Sequence, residues 1–199
     1  MSKLSRADLW SLEEYAQERS AFRSKVMAHK QHRQVPLGPN ARLYFEDSLT
    51  IRYQIQEMLR IEKVFEAAGI EEELEAYNPL IPDGDNWKAT FMIEYDDPVE
   101  RAEQLSRMIG IEDKVWMRVE GFDPIYAIAD EDLERENDVK TSSVHFMRFQ
   151  LNNTMLAAVQ NKASISVGID HPAYTIEEES LPAAVRDSLA ADLKAATLN

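Results

Sequence analysis

The stretch SVHFMRFQL, residues 143–151, carries the clearest structural signal in this chain. Large apolar side chains recur there at every second position, in the row Met147, Phe149 and Leu151. Successive side chains of a β-strand point to opposite faces, so this spacing predicts a strand with one buried face. His145 stands at the head of the buried row, where an apolar side chain is expected.

Further strands and helices are predicted on both sides of this strand. Helical patterns cover the first 32 residues, with Ser11 and Glu14 spaced as a capping box, and continue over residues 49–68, with Gly69 as the stop. Strand spacing recurs at 34–36, 42–46, 89–95, 114–120, 124–129 and 163–169. Strands joined by hairpins, with helices gathered at the N-terminus, predict an α+β fold in which a mainly antiparallel sheet packs against helices.

The chain shows no linker rich in proline, glycine or serine that would divide it. Residues 1–199 are therefore predicted to form a single domain. It would consist of a helical N-terminal portion at about 1–75, a sheet-rich portion at about 86–170 and a C-terminal helix at about 181–196.

Composition narrows the function classes. A formal net charge of −14 argues against binding to nucleic acid or to an anionic membrane surface, because both require basic patches. The absence of cysteine excludes disulfides, thiol catalysis and a cysteine-ligated iron–sulfur cluster. The first twenty residues lack the apolar core of a signal peptide, and no apolar run is long enough to span a bilayer. We therefore expect a soluble cytoplasmic protein.

Four ionisable residues fall at positions where the pattern calls for core side chains. Glu62 lies on the apolar stripe of the 49–68 helix, and His29 lies on an apolar helix face. His145 and His171 lie on the buried rows of two strands. Burying such groups costs several kcal/mol unless they are paired or bound.

Two explanations stay open for these four residues. Each group is satisfied separately inside the core, by a hydrogen bond or a salt bridge, or the four converge on a shared metal site. Imidazole and carboxylate ligands suit iron, zinc or manganese, so Glu62, His145, His171 and His29 are the candidate metal ligands.

A second set of residues suggests a small anionic ligand. Gln54, Arg52 and Arg148 are the candidate ligand-binding residues, because arginine and amide groups bind anions through directed hydrogen bonds. The one basic cluster of the acidic chain, around Lys30, either receives an anionic ligand or an acidic partner, or is a solvated helix face. The proline-containing segment 78–86 is either a lid or a connection whose apolar residues plug the core.

Several segments of the chain resemble a bacterial family, the domain of unknown function catalogued as 3501. These segments are YQIQEMLRIE at 53–62, AYNPLIPDG at 76–84, AIADEDLERE at 127–136, SVHF at 143–146 and GIDHPAY at 168–174. The resemblance covers roughly residues 3–175 and leaves the tail after Tyr174 outside it. The family has no assigned chemistry, and its genes often neighbour those of rubrerythrin-like and iron–sulfur proteins. The resemblance therefore implies a link to iron, redox or oxidative-stress physiology.

These observations lead to one leading hypothesis and two alternatives. The leading hypothesis is a binding or accessory protein in iron, redox or oxidative-stress physiology that works beside a redox protein partner. The alternatives are a metal-dependent enzyme with a His/Glu site and a module that binds a small anionic ligand. A homodimer is compatible with the sequence, and whether the protein is an enzyme stays open.

Overall fold

The computed structural model describes residues 3–133, 135 and 139–194. Within them, six helices run over α1 (Leu12–Lys30), α2 (Ser48–Glu62), α3 (Ala67–Tyr77), α4 (Pro98–Arg107), α5 (Asn153–Gln160) and α6 (Ala183–Ala190). The strands are β1 (Gln34–Pro36), β2 (Ala41–Phe45), β3 (Asn86–Ile93), β4 (Val115–Val119), β5 (Ile125–Tyr126), β6 (Ile128–Ala129), β7 (Val144–Gln150), β8 (Ile165–His171) and β9 (Tyr174–Glu178). The predicted α+β class and the helical N-terminal portion are confirmed.

The strands form two antiparallel sheets rather than one. The first sheet has the order β1-β2-β3-β7-β6, and the second has the order β5-β4-β8-β9. The predicted strand 124–129 divides accordingly, because β5 pairs with β4 in the second sheet while β6 pairs with β7 in the first. Strand β9 was not predicted, since its sequence YTIEE is mostly exposed at a sheet edge.

The main core lies between the inner faces of the two sheets. The row predicted from residues 143–151 is confirmed, because Met147, Phe149 and Leu151 are all buried in this core. Val167 of β8 faces them from the second sheet, and Leu189 of α6 helps to close the core. Burial of this apolar surface, at roughly 25 cal/mol per Å², is the main driving force of the fold.

The other face of the first sheet lies next to the helical N-terminal portion. Ser11 and Glu14 form the predicted capping box at the start of α1. Asp47 caps α2 by accepting hydrogen bonds from the backbone of Leu49 and Thr50, each at 2.9 Å. Such caps satisfy the free N–H groups of the first helical turn.

Three helix boundaries differ from the sequence prediction. The helix predicted over 49–68 ends at Glu62, because Lys63 adopts a left-handed conformation with φ of 57°. Gly69, predicted as the stop, lies inside α3. The C-terminal helix, predicted over 181–196, covers Ala183–Ala190, and residues 195–196 lie outside the described part of the chain.

A buried ionic cluster ties the end of α1 to the C-terminal segment. The Arg33 guanidinium is 2% exposed and pairs with Asp192, with Nη1–Oδ1 of 3.2 Å and Nη2–Oδ2 of 2.6 Å. Its Nε donates to the carbonyl of Phe45 at 3.1 Å and lies 3.4 Å from Asp47 Oδ2. Burial opposes the charge of Asp47, yet the Arg33 charge prevails and lowers the pKa of that carboxyl.

Candidate functional site

Glu62 is exposed, and its predicted burial was wrong. The buried stripe of α2 runs through Ile51, Ile55 and Leu59, while the last helical turn projects beyond this packing surface. Phe65, which the pattern placed on the same stripe, follows the end of the helix and is 71% exposed. Glu62 therefore needs no buried partner.

His171 is buried, as predicted, and both of its ring nitrogens are satisfied locally. Its Nε2 lies 3.1 Å from the carbonyl oxygen of Ile109, and its Nδ1 accepts a hydrogen bond from the backbone N–H of Ala173 at 3.2 Å. This arrangement fits a neutral imidazole with its proton on Nε2. The role it indicates is hydrogen bonding in the core.

His29 is half-buried rather than buried, and its Nε2 lies 2.5 Å from Asp47 Oδ2. It therefore joins the ionic cluster around Arg33. Because Asp47 also caps α2, the contact helps to fix the orientation of α1 relative to α2.

His145 is fully buried, as predicted, in a polar cluster of its own. Its Nδ1 lies 2.6 Å from Asp130 Oδ2, and its Nε2 lies 2.9 Å from Thr141 Oγ1 and 3.1 Å from the carbonyl oxygen of Ser142. Glu112 Oε2 lies 3.8 Å from Nε2. Both ring nitrogens therefore have hydrogen-bond partners inside the protein, as a buried imidazole requires.

The four candidate metal ligands are not brought together. Each of the three histidines has separate partners, and Glu62 is exposed on the last turn of α2. Within the described ranges, no group of three or more histidine, aspartate or glutamate side chains is arranged to hold a metal ion. Of the two explanations left open by the sequence, separate hydrogen bonds and salt bridges fit His29, His145 and His171.

A different site lies between the outer face of the first sheet and the helical N-terminal portion. Two adjoining cavities share Tyr77, Leu80 and Phe146 as lining residues, and we call them together the central cleft. One cavity, the polar end, has a volume of about 380 Å³. The other, the loop end, has a volume of about 300 Å³. Ligand sites in proteins are commonly concave, largely apolar and of this size.

Strand alternation forms the floor of the central cleft. Tyr44 of β2, Thr90 of β3 and Phe146 of β7 are register partners on the outer face of the sheet. Lys88 and Arg148 form the next such pair and line the loop end. The same alternation that buries one face of each strand thus presents this row to the cleft.

Helical segments form the opposite wall. Thr50 and Gln54 lie four residues apart on α2, so they share one helix face, and both line the polar end. Lys30 reaches the polar end from the last turn of α1. Tyr77 and Leu80 come from the end of α3 and the turn that follows it.

The charges of the loop end are already paired. Arg148 forms two hydrogen bonds with Glu131, at 2.9 and 2.7 Å, and these lower the pKa of Glu131. Lys88 donates to the carbonyl of Pro79 at 2.6 Å and pairs with Asp83 at 2.9 Å. An anion at this end would have to displace these carboxylates, so the loop end favours an uncharged, apolar group.

The charged side chains at the polar end, Glu46 and Lys30, have other kinds of contact. Glu46 Oε1 accepts a hydrogen bond from the Thr90 hydroxyl at 2.9 Å, and Oε2 accepts one from Thr50 at 2.6 Å. Lys30 Nζ lies 5.9 Å from the centre of the Tyr53 ring. Among the described residues, neither Glu46 nor Lys30 forms an ion pair, although both line one cavity.

The candidate ligand-binding residues divide between the cleft and the helices. Gln54 lines the polar end and Arg148 lines the loop end, so two of the three are brought to one cleft. Arg52 is not a lining residue of either cavity, because its guanidinium lies over the rings of Trp10 and Phe22, at 4.1 and 5.4 Å. In segment 78–86, Ile81 is buried in a helical core, as expected of a connection that plugs the core, while Leu80 lines the cleft.

Comparison with known proteins confirms the family that the sequence segments resemble. The model of the family described as "Protein of unknown function (DUF3501)" matches residues 3–193. The chain belongs to this family. The match also takes in most of the tail after Tyr174, which the resemblance had left outside.

A solved structure is similar to nearly the whole chain. It is the crystal structure of a novel protein of unknown function from Burkholderia pseudomallei K96243, which is 50% identical to this chain. The match covers 97% of this chain and 100% of that one, with a TM-score of 0.92. Among curated proteins, none matches this chain.

Most of the residues that line the polar end were not predicted from the sequence. Glu46, Thr50 and Thr90 look like ordinary surface residues in the sequence, because neither strand nor helix spacing marks them as neighbours. Lys30 was noted only as part of a basic cluster. One signal was present: Glu46 continues the outward row of Arg42 and Tyr44 and precedes the cap residue of α2, which places it at the sheet–helix junction.

Proposed function

We propose that this protein is a binding or accessory protein and that the central cleft holds a small organic molecule. The observation that supports this proposal is the convergence of polar groups from α1, α2 and the first sheet on one cavity beside an apolar surface. A few directed polar groups beside an apolar wall are typical of small-molecule sites.

The contacts of the buried histidines also favour binding over catalysis as the proposed role. Catalytic acids and bases need access to a substrate, whereas His145 is fully buried with both nitrogens engaged. His171 is likewise engaged through both nitrogens. Neither histidine lines the central cleft.

The proposed link to iron, redox or oxidative-stress physiology rests on the gene neighbourhood of the family. A ligand-binding protein fits this setting as a sensor or carrier beside a redox partner.

In the described part of the chain, no helix combines the length and the apolar character that crossing a bilayer requires.

A thermal-shift screen against a library of small organic molecules tests the proposal. A ligand that binds only the folded state raises the melting temperature, and more so at higher concentration. In the Val144→Trp variant the indole should fill the polar end, because Val144 lines it from β7. We expect the library hits of the wild-type protein to be lost in this variant.

The matched control is Val99→Trp, because Val99 is 77% exposed on α4 and lies outside the cleft. It should retain every hit. Phe146→Ala removes the shared ring at the junction of the two cavities and provides a second test if Val144→Trp does not fold. Hits that respond equally to all three substitutions would contradict the proposed site.

A further inference from the structure

We propose that the polar end of the central cleft recognises a small zwitterion, with its ammonium group on Glu46 and its carboxylate on Lys30. This inference rests on the proposed function and specifies the ligand class of the same site. It starts from two opposite charges that line one cavity and that, among the described residues, are not paired with any countercharge.

The Glu46 carboxylate is held in a fixed position. Thr50 and Thr90 each donate a hydroxyl to one of its two oxygens, so the carboxylate is anchored to α2 and to β3 at once. An ionised carboxylate has about four lone-pair sites, so these two bonds leave acceptor capacity for a ligand donor. The anchoring hydroxyls are neutral, and the negative charge is therefore still uncompensated.

The Lys30 ammonium supplies the complementary charge. It extends from the last turn of α1 beside the ring of Tyr53, and its side chain makes no hydrogen bond to any described residue. An ammonium group has three donors, so it suits a carboxylate oxygen of a ligand. Gln54, on the exposed face of α2 at the same cavity, has both donor and acceptor atoms for either end of such a ligand.

The rest of the cleft defines the body of the ligand. Tyr77, Leu80 and Phe146 lie between the polar end and the loop end, and the charges of the loop end are paired with protein groups. An apolar or aromatic body directed from the polar end onto this wall would bury its surface without leaving a charge unpaired. The ligand class is therefore an amino acid or a similar zwitterion with an apolar side chain.

Ligands that carry one charge are the competing possibilities. An organic acid would pair with Lys30 but would leave its own negative charge close to Glu46. An amine would pair with Glu46 but would meet the Lys30 ammonium. Since a like charge disfavours binding as an opposite charge favours it, both should bind more weakly than the zwitterion.

Titration calorimetry with matched ligands tests this inference. Phenylalanine, phenethylamine and 3-phenylpropionate share one apolar body, and the second and third lack the carboxylate and the ammonium group respectively. The panel also includes the other apolar amino acids, each with its matched amine and acid. We expect at least one amino acid to bind the wild-type protein about tenfold or more tightly than both of its matched ligands.

Two variants assign the charges. In Lys30→Gln the preference for the amino acid over the amine should disappear, and in Glu46→Gln the preference over the acid should disappear. Lys25→Gln and Glu178→Gln, both at exposed positions outside the cleft, should keep both preferences. Because the Lys30 side chain makes no hydrogen bond to a described residue, Lys30→Gln remains informative even if Glu46→Gln does not fold.

The outcomes separate the two proposals. If a matched amine or acid binds as tightly as its amino acid, the zwitterion inference is wrong. It is also wrong if no amino acid binds while other library molecules bind and are lost in Val144→Trp, but the proposed function then stands. If no molecule of either set distinguishes Val144→Trp from Val99→Trp, both proposals fail.

Discussion

Two pairs of charged residues, Arg33 with Asp47 and Lys30 with Glu46, come from the same two short stretches of sequence but have opposite environments in the fold. Arg33 and Asp47 are buried, and every charge of their cluster has a partner. Lys30 lies three positions before Arg33, and Glu46 lies one position before Asp47. Both nevertheless line a cavity, and among the described residues neither forms an ion pair. The comparison separates a polar cluster that stabilises the fold from polar groups that are available to a ligand.

The difference arises from the direction of each side chain. Asp47 accepts hydrogen bonds from the start of α2 and faces His29 and Arg33, whereas Glu46 follows β2, continues its outward row and faces the cleft. A buried charge without a partner is costly, so Arg33 requires its carboxylates. Lys30 is half-buried and in reach of water, so its charge needs no protein partner.

The largest expected effect is the loss of the Arg33 cluster. Arg33→Met leaves Asp192 buried without its partner, so the free energy of unfolding should fall by about 3–5 kcal/mol, as measured by urea denaturation. Arg23→Met, at an exposed position of α1, should change it by less than about 0.5 kcal/mol. Adding Asp192→Leu to Arg33→Met should recover part of the loss, and no recovery would mean that the pair does not act as a unit.

The His145 cluster should also behave as a structural element. His145→Ala leaves Asp130 and Glu112 without the imidazole between them, so unfolding should become easier by about 1–3 kcal/mol. Elemental analysis of both proteins after reconstitution with iron or zinc should show the same metal content. A stoichiometric metal in the wild-type protein that is lost in His145→Ala would instead support the metal-dependent alternative.

A smaller effect, dependent on pH, is expected where α1 contacts α2. Glu57 accepts hydrogen bonds from Arg19 at 2.7 and 2.8 Å, and these hold its pKa at about 2. The pKa is lower in the folded than in the unfolded state, so this stabilisation is fully present above about pH 4.5 and is lost as the pH falls towards 2.

Urea denaturation of Glu57→Gln against pH measures this effect. The variant should be about 1 kcal/mol less stable than the wild-type protein at pH 7, since partial exposure screens the pair. The difference should shrink below pH 4.5. Glu75→Gln, exposed on α3, should show no such trend, and a Glu57→Gln difference that stays constant down to pH 3 would contradict the assignment.

The smallest effect on stability is expected at Lys30. Lys30→Gln should change the free energy of unfolding by less than about 0.5 kcal/mol, because the Lys30 side chain makes no ion pair with a described residue. Its effect should appear in ligand binding instead. A stability loss as large as that of Arg33→Met would mean that Lys30 stabilises the fold as Arg33 does. It would contradict the difference proposed between the two charge pairs.

The sequence predicted secondary structure best where side-chain spacing is set by one buried face. The row Met147, Phe149, Leu151 and the burial of His145 followed from β-strand periodicity alone. The same reasoning failed for Glu62, because helical periodicity gives the direction of a side chain but not how far along the helix its neighbours extend. Arg52 was misplaced for a related reason, since only the fold reveals the rings of Trp10 and Phe22 beside it.

Local patterns in the sequence thus determined the α+β class, most of the strands, the cap of α1 and the family. These features depend on residues close together in the chain, whose spacing the backbone geometry fixes. Tertiary structure alone decided that the strands divide into two sheets, that the histidines have separate partners and that Lys30 and Glu46 line one cavity. Those relations join residues from distant segments, and they depend on how whole elements pack, which the spacing within one segment does not encode.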